Sequence, residues 1–398
     1  MNPQSNSGET IPSKFAKGRT AFLVIHGIGE QNPFETLDSF TRGFVRYMQT
    51  RQVPFTATHK VADRVGAGGA HWTESFVRLS SADSLDCIDI HEYYWAYITE
   101  EQISPGEVCK WVQQALAGAI NSYEQNEELR KNHEGEPRPY WWRLLSILRW
   151  LRYWYWFVRL LLFFLPGWNA FRSIRGKIEK FATHVIVGYL GDIAIYTTTD
   201  EKSRYYKIRQ RILAESQALL EAILAEEEYD RVILAGHSLG SVIAYDTLNR
   251  LNIKANLPGS QESPLKKLAG LITFGSPLDK IVFFFREHPK EEQCIRRQIM
   301  EHLHSFRSKW TYDGPDAKKR SKQDEVKLEN AIEAKLNGIR WVNFYDDKDP
   351  ISGHLDYYSV DENVPLDLHM KWGLAHMGYW DFDGFYNGIA ERFIWDLR

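Results

Sequence analysis

The sequence contains few cysteines and no pattern that would pair them or bind a metal with them. Of 398 residues only three are cysteine, and these three (Cys87, Cys109 and Cys294) are far apart. Small disulfide-linked or zinc-bound domains use even, closely spaced sets of cysteines. We therefore expect reduced thiols, as in a cytosolic compartment, and a fold that depends on a hydrophobic core.

The sequence also has little net charge and no apolar leader. Its formal charge is −3 and its pI is about 6.5, so bulk electrostatics do not favour a nucleic-acid partner. Residues 1–19 are polar and lack the apolar centre of a signal peptide. We expect a disordered leader before a domain that occupies residues 20–398, and a cytoplasmic protein with a peripheral contact to a membrane.

Motifs for nucleotide and metal chemistry are missing as well. The chain has no GxxxxGK[ST], no GxGxxG after a strand, no HExxH and no paired CxxC. The acidic cluster around residues 346–356 lacks the spacing and the central glycine of an EF-hand loop. These absences predict chemistry that uses neither a metal nor a cofactor.

What the sequence does contain is an alternation of apolar runs and helical patterns. Short continuous apolar runs are typical of strands that are buried on both faces of a parallel sheet. The predicted strands are Ala21–Ile25, Cys87–Trp95, Arg231–Ala235, Leu268–Phe274, Ile339–Tyr345 and Val364–Met370, and the predicted helices are Thr36–Thr50, Tyr206–Glu227, Ser241–Leu251 and Lys318–Leu336. The alternation predicts the α/β class, with a doubly wound and mostly parallel sheet.

The segment 231–246 carries the clearest chemical signal. It reads RVILAGHSLGSVIAYD, an apolar strand followed by G-x-S-x-G and a helix. A nucleophilic serine on such a tight turn needs glycines around it, here Gly236 and Gly240, because side chains would clash there. The following helix directs its positive end to the place where an oxyanion would form. We predict that Ser238 is a nucleophile, and the alternative is a serine that only caps the helix.

A nucleophilic serine needs a base, and the base needs an acid that orients it. In this arrangement the acid precedes the histidine, and each follows a core strand. The loop 346–352 reads DDKDPIS. Asp349 is the predicted acid, because Pro350 would fix the turn that carries it. Asp346 is the rival acid, and Asp347 is a weaker one.

Three late histidines are candidates for the base. His354 follows the acid too soon to lie beyond another strand, and His369 is expected within the last predicted strand. His376 follows that strand in a glycine-bounded loop, from which its ring could reach the serine. His376 is therefore the predicted base.

Two backbone amides should bind the oxyanion. One is the amide of Leu239, directly after the nucleophile. The other belongs to the turn HGIG at 26–29, which follows the first strand, and Ile28 is its expected donor. We expect the ring of His26 to pack and hydrogen-bond beneath this turn rather than to act as a base.

Five motifs are distributed over nearly the whole chain, except its leader and an insertion. They are HGIGEQ at 26–31, GHSLGSVIAYD at 236–246, TFGSPL at 273–278, DDKDPIS at 346–352 and HMGYW at 376–380. With them the chain resembles the lipase-like branch of the α/β-hydrolase superfamily. The resemblance implies an α/β-hydrolase fold and ester hydrolysis through an acyl-enzyme, without a cofactor. Carried over by position, Ser238, Asp349 and His376 would be the triad. A thioesterase, a small-ester esterase and a catalytically idle membrane scaffold remain alternatives.

Residues 98–199 are longer than a crossover needs, so we interpret them as a helical insertion that contains the aromatic segment 141–168. Four arginines interrupt this segment, so that no arginine-free run reaches about 18 residues. A basic stripe with an aromatic remainder is typical of an interfacial membrane helix, and a buried helix, a subunit contact or a true span are the alternatives. The predicted lid or membrane-contact residues are Trp150, Trp154, Trp156, Phe157, Leu161 and Phe164. A lipid ester is accordingly the leading substrate.

Overall fold

The protein is α/β, with one mostly parallel sheet. The computed structural model describes residues 17–28, 32–65, 71–99, 204–260, 264–285, 293–309, 326–349, 351–370 and 375–395. Within these residues the strands are β1 (Arg19–Ile25), β2 (Phe55–Val65), β3 (His71–Ser81), β4 (Cys87–Tyr93), β5 (Arg231–His237), β6 (Leu268–Phe274), β7 (Arg340–Tyr345) and β8 (Glu362–Pro365). They lie in the order β2-β3-β4-β1-β5-β6-β7-β8. The pairs β2–β3 and β3–β4 are antiparallel, and all other neighbours are parallel.

Helices cover both faces of this sheet. The α-helices of the described residues are α1 (Glu35–Thr50), α2 (Ala96–Thr99), α3 (Arg204–Ala225), α4 (Leu239–Ala255), α5 (Leu278–Phe285), α6 (Cys294–Leu303) and α7 (Asp383–Ile389). Helices α1 and α7 contribute to the core on one face, and α3, α4 and α5 contribute to the core on the other. A 3₁₀ helix, Ala375–Asp381, precedes α7.

Burial on two faces explains the continuous apolar runs. In β1, Phe22 and Val24 pack into the core beside α1, while Leu23 and Ile25 pack into the core beside α4. Successive side chains of a strand point to opposite faces, so a central strand needs apolar residues at every position. The predicted strands at β1, β4, β5, β6 and β7 are confirmed, with ends that differ by at most two residues.

The last predicted strand is wrong over most of its length. β8 ends at Pro365, whereas the prediction ran from Val364 to Met370. The chain leaves the sheet because the N–H of Leu368 donates to Asp346 Oδ2 over 2.7 Å and His369 has φ 55°. A positive φ is incompatible with a continued strand.

The predicted helix Lys318–Leu336 is also wrong in the part that the structure describes, which begins at residue 326 and contains no helix before β7. Asparagine side chains at the C-terminal end of α4 and directly after it bind the backbone there. Asn256 accepts from the N–H of Glu333 over 3.0 Å, and Asn252 accepts from the N–H of Leu336 over 3.2 Å. These bonds replace the intrahelical bonds that the same amides would make in a helix.

The hairpin β2–β3 was not predicted from the sequence, because its strands are largely polar and half exposed. It is attached to the sheet through buried charges. Arg64 Nε donates to Glu74 Oε2 over 2.6 Å, and Glu74 Oε1 lies 2.8 Å from His91 Nδ1 on β4. Burial alone raises the pKa of Glu74, but the hydrogen bond from His91 and the charge of Arg64 hold it below its ordinary value.

Candidate active site

Ser238 lies on a strained turn at the centre of the sheet. It joins the carboxyl end of β5 to the first residue of α4, with φ 52° and ψ −126°. For a residue other than glycine such a backbone costs about 1–3 kcal/mol and persists only where the surroundings impose it. The serine hydroxyl makes no capping bond to α4, so the alternative of a capping serine does not describe this turn.

The glycines around the serine leave no room for a side chain. A β-carbon at Gly236 would lie 2.5 Å from the carbonyl oxygen of Gly240, and one at Gly240 would lie 2.3 Å from the carbonyl oxygen of Ile25. A β-carbon at Gly27 would lie 2.7 Å from that of Ser238. The turn after β1, which carries Ile28, therefore lies directly against the elbow, the strand-to-helix turn that carries Ser238.

Ser238, His376 and Asp349 form a hydrogen-bonded chain. The Oγ of Ser238 lies 2.9 Å from His376 Nε2, and His376 Nδ1 lies 2.9 Å from Asp349 Oδ2. All three residues are at least nine-tenths buried. Asp349 follows β7 and His376 follows β8, so the parallel sheet brings the three residues together at the carboxyl ends of its strands.

The charge of Asp349 determines which ring nitrogen of His376 carries the proton. Burial alone raises the pKa of Asp349, but hydrogen bonds from His376 Nδ1 and from the N–H of Ile351, the latter over 2.9 Å, hold it below its ordinary value. A charged carboxylate only accepts, so Nδ1 carries the proton. The Nε2 atom then has a lone pair directed at the serine hydroxyl, as a general base requires.

The rival acids lie elsewhere. Asp346 Oδ1 accepts from the N–H of Lys348 over 2.7 Å and Oδ2 accepts from the N–H of Leu368 over 2.7 Å, so its carboxylate closes the loop. Asp347 is exposed. Among the described residues no group of three or more histidine, cysteine or acidic side chains is placed to bind a metal ion.

The rival histidines are exposed and paired with nearby acids. The His354 side chain is 53% exposed and its Nδ1 lies 2.8 Å from Asp356. The His369 side chain is 78% exposed and its Nδ1 lies 3.4 Å from Asp367. Neither residue takes part in the chain that leads to Ser238.

The two predicted amides belong to residues next to the serine turn, since Leu239 follows Ser238 and Ile28 follows Gly27, which lies against it. Leu239 is the first residue of α4, where the N–H groups have no partner within the helix. His26 packs under the turn that carries Ile28: its Nδ1 donates to the carbonyl oxygen of Gly27 over 2.7 Å, and its Nε2 accepts from the N–H of Trp95 over 3.0 Å. Burial lowers the pKa of His26 to about 4, so its ring is neutral at pH 7.

Sequence reasoning missed two residues that hold the predicted base. The Nε2 of His237 donates to the carbonyl oxygen of His376 over 3.0 Å, and the two rings stack with centroids 4.8 Å apart. Burial lowers the pKa of His237 to about 3. Gly275, at φ 60°, lies beneath both rings, where a β-carbon would be 3.1 Å from His237 and 3.2 Å from His376. Both belong to motifs quoted above, GHSLG and TFGSPL, which were the available signal.

The predicted lid or membrane-contact residues Trp150, Trp154, Trp156, Phe157, Leu161 and Phe164 lie outside the described residues, as does the rest of 100–203. In the parts of the chain that are described, none of the helices combines the length and the apolar character that crossing a membrane requires.

Comparison of the sequence with protein-family models and with curated proteins finds no match.

Proposed function

We propose that this chain is a serine hydrolase of the α/β-hydrolase fold and the lipase-like branch, which cleaves carboxylic esters. The observation that carries the proposal is the hydrogen-bonded chain of Ser238, His376 and Asp349, with two distances of 2.9 Å, on a strained strand-to-helix turn. Buried hydrogen-bonded residues of these three types, in this order, have the geometry of a catalytic triad.

The geometry supports hydrolysis in two steps. Ser238 attacks the ester carbonyl while His376 Nε2 takes the serine proton and returns it to the leaving alcohol, which gives an acyl-enzyme. Water then attacks the acyl carbonyl with the same histidine as the base, the bond to Ser238 Oγ breaks, and the carboxylic acid leaves as His376 returns the proton to the serine. The amides of Leu239 and Ile28 would stabilise the oxyanion in both steps, and loss of one such donor costs about 3–4 kcal/mol. No step requires a cofactor.

A lipid ester is the substrate that the sequence favours. Residues 141–168 combine tryptophan, tyrosine, leucine and phenylalanine with four arginines, a composition that suits the interface of a bilayer. Deletion of Trp141–Trp168 should abolish flotation with liposomes and leave hydrolysis of a short soluble ester intact. Unchanged flotation would contradict the membrane part of the proposal and leave the ester chemistry standing.

A fluorophosphonate probe tests the chemistry, because it labels only an activated serine. We expect labelling of the purified full chain and none in Ser238→Ala. Ser216→Ala is a matched control, because Ser216 is also fully buried but its hydroxyl bonds to Thr247. Labelling in Ser238→Ala would assign the reactive serine elsewhere. No labelling of the wild type, with or without liposomes, would overturn the proposal in favour of a membrane-associated binding module.

A further inference from the structure

Tyr379 lies on the same 3₁₀ helix as His376, three residues later. Residues three apart in a 3₁₀ helix are eclipsed, so their side chains leave the helix on one face. Tyr379 is completely buried, and its hydroxyl lies 3.0 Å from Asp349 Oδ2. This is the same oxygen that His376 Nδ1 contacts at 2.9 Å.

The hydroxyl of Tyr379 has two further neighbours. The N–H of Asp346 donates to its oxygen over 3.2 Å, and Ser352 Oγ lies 3.1 Å away. Burial, and then the charge of Asp349, raise the pKa of Tyr379 far above its ordinary value, so the hydroxyl keeps its proton. A phenol has one proton, and the carboxylate only accepts. The proton therefore points to Asp349, and Ser352 donates to Tyr379.

Ser352 is itself fixed from a third element. Lys280 of α5 donates from Nζ to the carbonyl oxygen of Ser352 over 2.9 Å. The N–H of Ser352 donates to Asp349 Oδ1 over 3.3 Å. Oδ1 of Asp349 is thus bound by the loop after β7, which Lys280 of α5 contacts, and Oδ2 is bound by the two side chains of the 3₁₀ helix.

We propose that Tyr379 is a positioning residue of the triad, whose hydroxyl sets the orientation of the Asp349 carboxylate and the negative charge that it presents to His376. The inference rests on the proposed hydrolase function. It assigns to Tyr379 an effect on the base that acts through the acid, without contact to the substrate.

Removal of the Tyr379 hydroxyl should increase the negative charge that Asp349 presents to His376. With one donor fewer, Oδ2 of Asp349 presents more negative charge to the imidazolium, so the protonated histidine is favoured. The acid limb of the pH–rate profile should then move to higher pH by about half to one unit. The Asp349 carboxylate would also be oriented less precisely, and with it the imidazole, so kcat should fall by roughly 10-fold while KM stays unchanged.

Tyr379→Phe tests this, with Tyr386→Phe as the matched control. Tyr386 is equally buried, and its hydroxyl bonds to the carbonyl oxygens of Trp380 and Ser39 over 3.1 and 3.3 Å. Both variants lose one buried hydroxyl and should lose some thermal stability. Only Tyr379→Phe should shift the acid limb for a short soluble ester. If Tyr379→Phe loses stability and rate but keeps the wild-type profile, the role is merely structural and the inference is overturned.

A second measurement does not depend on turnover. The proton between His376 Nδ1 and Asp349 should give a far-downfield NMR resonance in the wild-type chain, which Tyr379→Phe should shift and Tyr386→Phe should leave in place. An unmoved resonance in Tyr379→Phe overturns the inference, whereas a wild type that neither turns over nor reacts with the probe overturns the proposed function alone. If Tyr379→Phe does not fold, Ser352→Ala replaces it and should give a smaller shift in the same direction, and an unchanged resonance there also overturns the inference.

Discussion

Gly240 lies against the carbonyl oxygen of Ile25, so closely that a β-carbon at residue 240 would be 2.3 Å from that oxygen. The contact joins the first turn of α4 to the end of β1, where the turn that carries Ile28 begins. Both partners are backbone, so neither can rotate away as a long side chain would. The close approach of the turn that carries Ser238 to the turn that carries Ile28 therefore requires a glycine at residue 240.

We predict that Gly240→Ala is strongly destabilising, by about 3 kcal/mol in the free energy of unfolding, because the clash moves two backbones apart. Gly338→Ala is the control, since its β-carbon would meet no atom within 4 Å, and it should change stability by less than about 0.5 kcal/mol. Urea denaturation measures both. Equal stability of the two variants would show that the backbone around residue 240 can accommodate a methyl group.

Substitutions of the two aspartates in the loop after β7 should have different effects, one on kcat and the other on stability. Asp349→Asn should reduce kcat by about 10⁴-fold with the fold intact, because the amide no longer orients the imidazole. Asp346→Asn should reduce stability, because its carboxylate accepts from the N–H groups of Lys348 and Leu368, and should keep kcat within about tenfold of wild type. The reverse result, in kcat and urea midpoint, would make Asp346 the acid.

Stability should fall as the pH drops below about 6.5, the ordinary pKa of histidine. Burial lowers the pKa of His26 to about 4 and that of His237 to about 3. Between these values and 6.5 the unfolded chain binds protons that the folded chain does not. Each histidine should therefore remove about 2 kcal/mol between pH 7 and pH 5.

His26→Gln tests the sign and the size of this effect. Its loss of stability between pH 7 and pH 5 should be smaller than that of the wild type by about 2 kcal/mol. His354→Gln, at an exposed histidine, should lose as much stability as the wild type. Urea midpoints at the two pH values give the comparison, and a wild type as stable at pH 5 as at pH 7 would refute the assignment.

The buried charges between the β2–β3 hairpin and β4 should matter more than surface pairs. Glu74→Ala should cost about 3 kcal/mol, because Arg64 Nε and His91 Nδ1 would lose their buried acceptor while Arg64 keeps its partly exposed partner Glu226. Asp367→Ala removes an exposed partner of Lys348 and should leave the urea midpoint nearly unchanged, since water screens such pairs. A similar midpoint for Glu74→Ala and wild type would show that water reaches the cluster.

The elbow could be predicted from the sequence because its requirements are local. A turn with glycines on both sides of a serine, between an apolar strand and a helix, has one main backbone conformation, and residues 236–240 adopt it. The hairpin β2–β3 could not be predicted, because its arginines Arg64 and Arg78 pair with Glu226 and Glu228, which lie 162 and 150 positions away. Likewise the segment before β7 has helical periodicity, but Asn252 of α4 and Asn256, which follows α4, bind its amides.

The sequence by itself determined the α/β class and the strands that Ser238 and Asp349 follow, because apolar periodicity and turn glycines act over a few residues. Only the tertiary structure decided which histidine contacts Ser238 and which aspartate contacts that histidine. It also decided that His237 and Tyr379 hold them, since those contacts join residues up to 139 positions apart. Hydrogen bonds of this kind depend on how parallel strands align at one edge of a sheet, and this alignment has no local signature in the sequence.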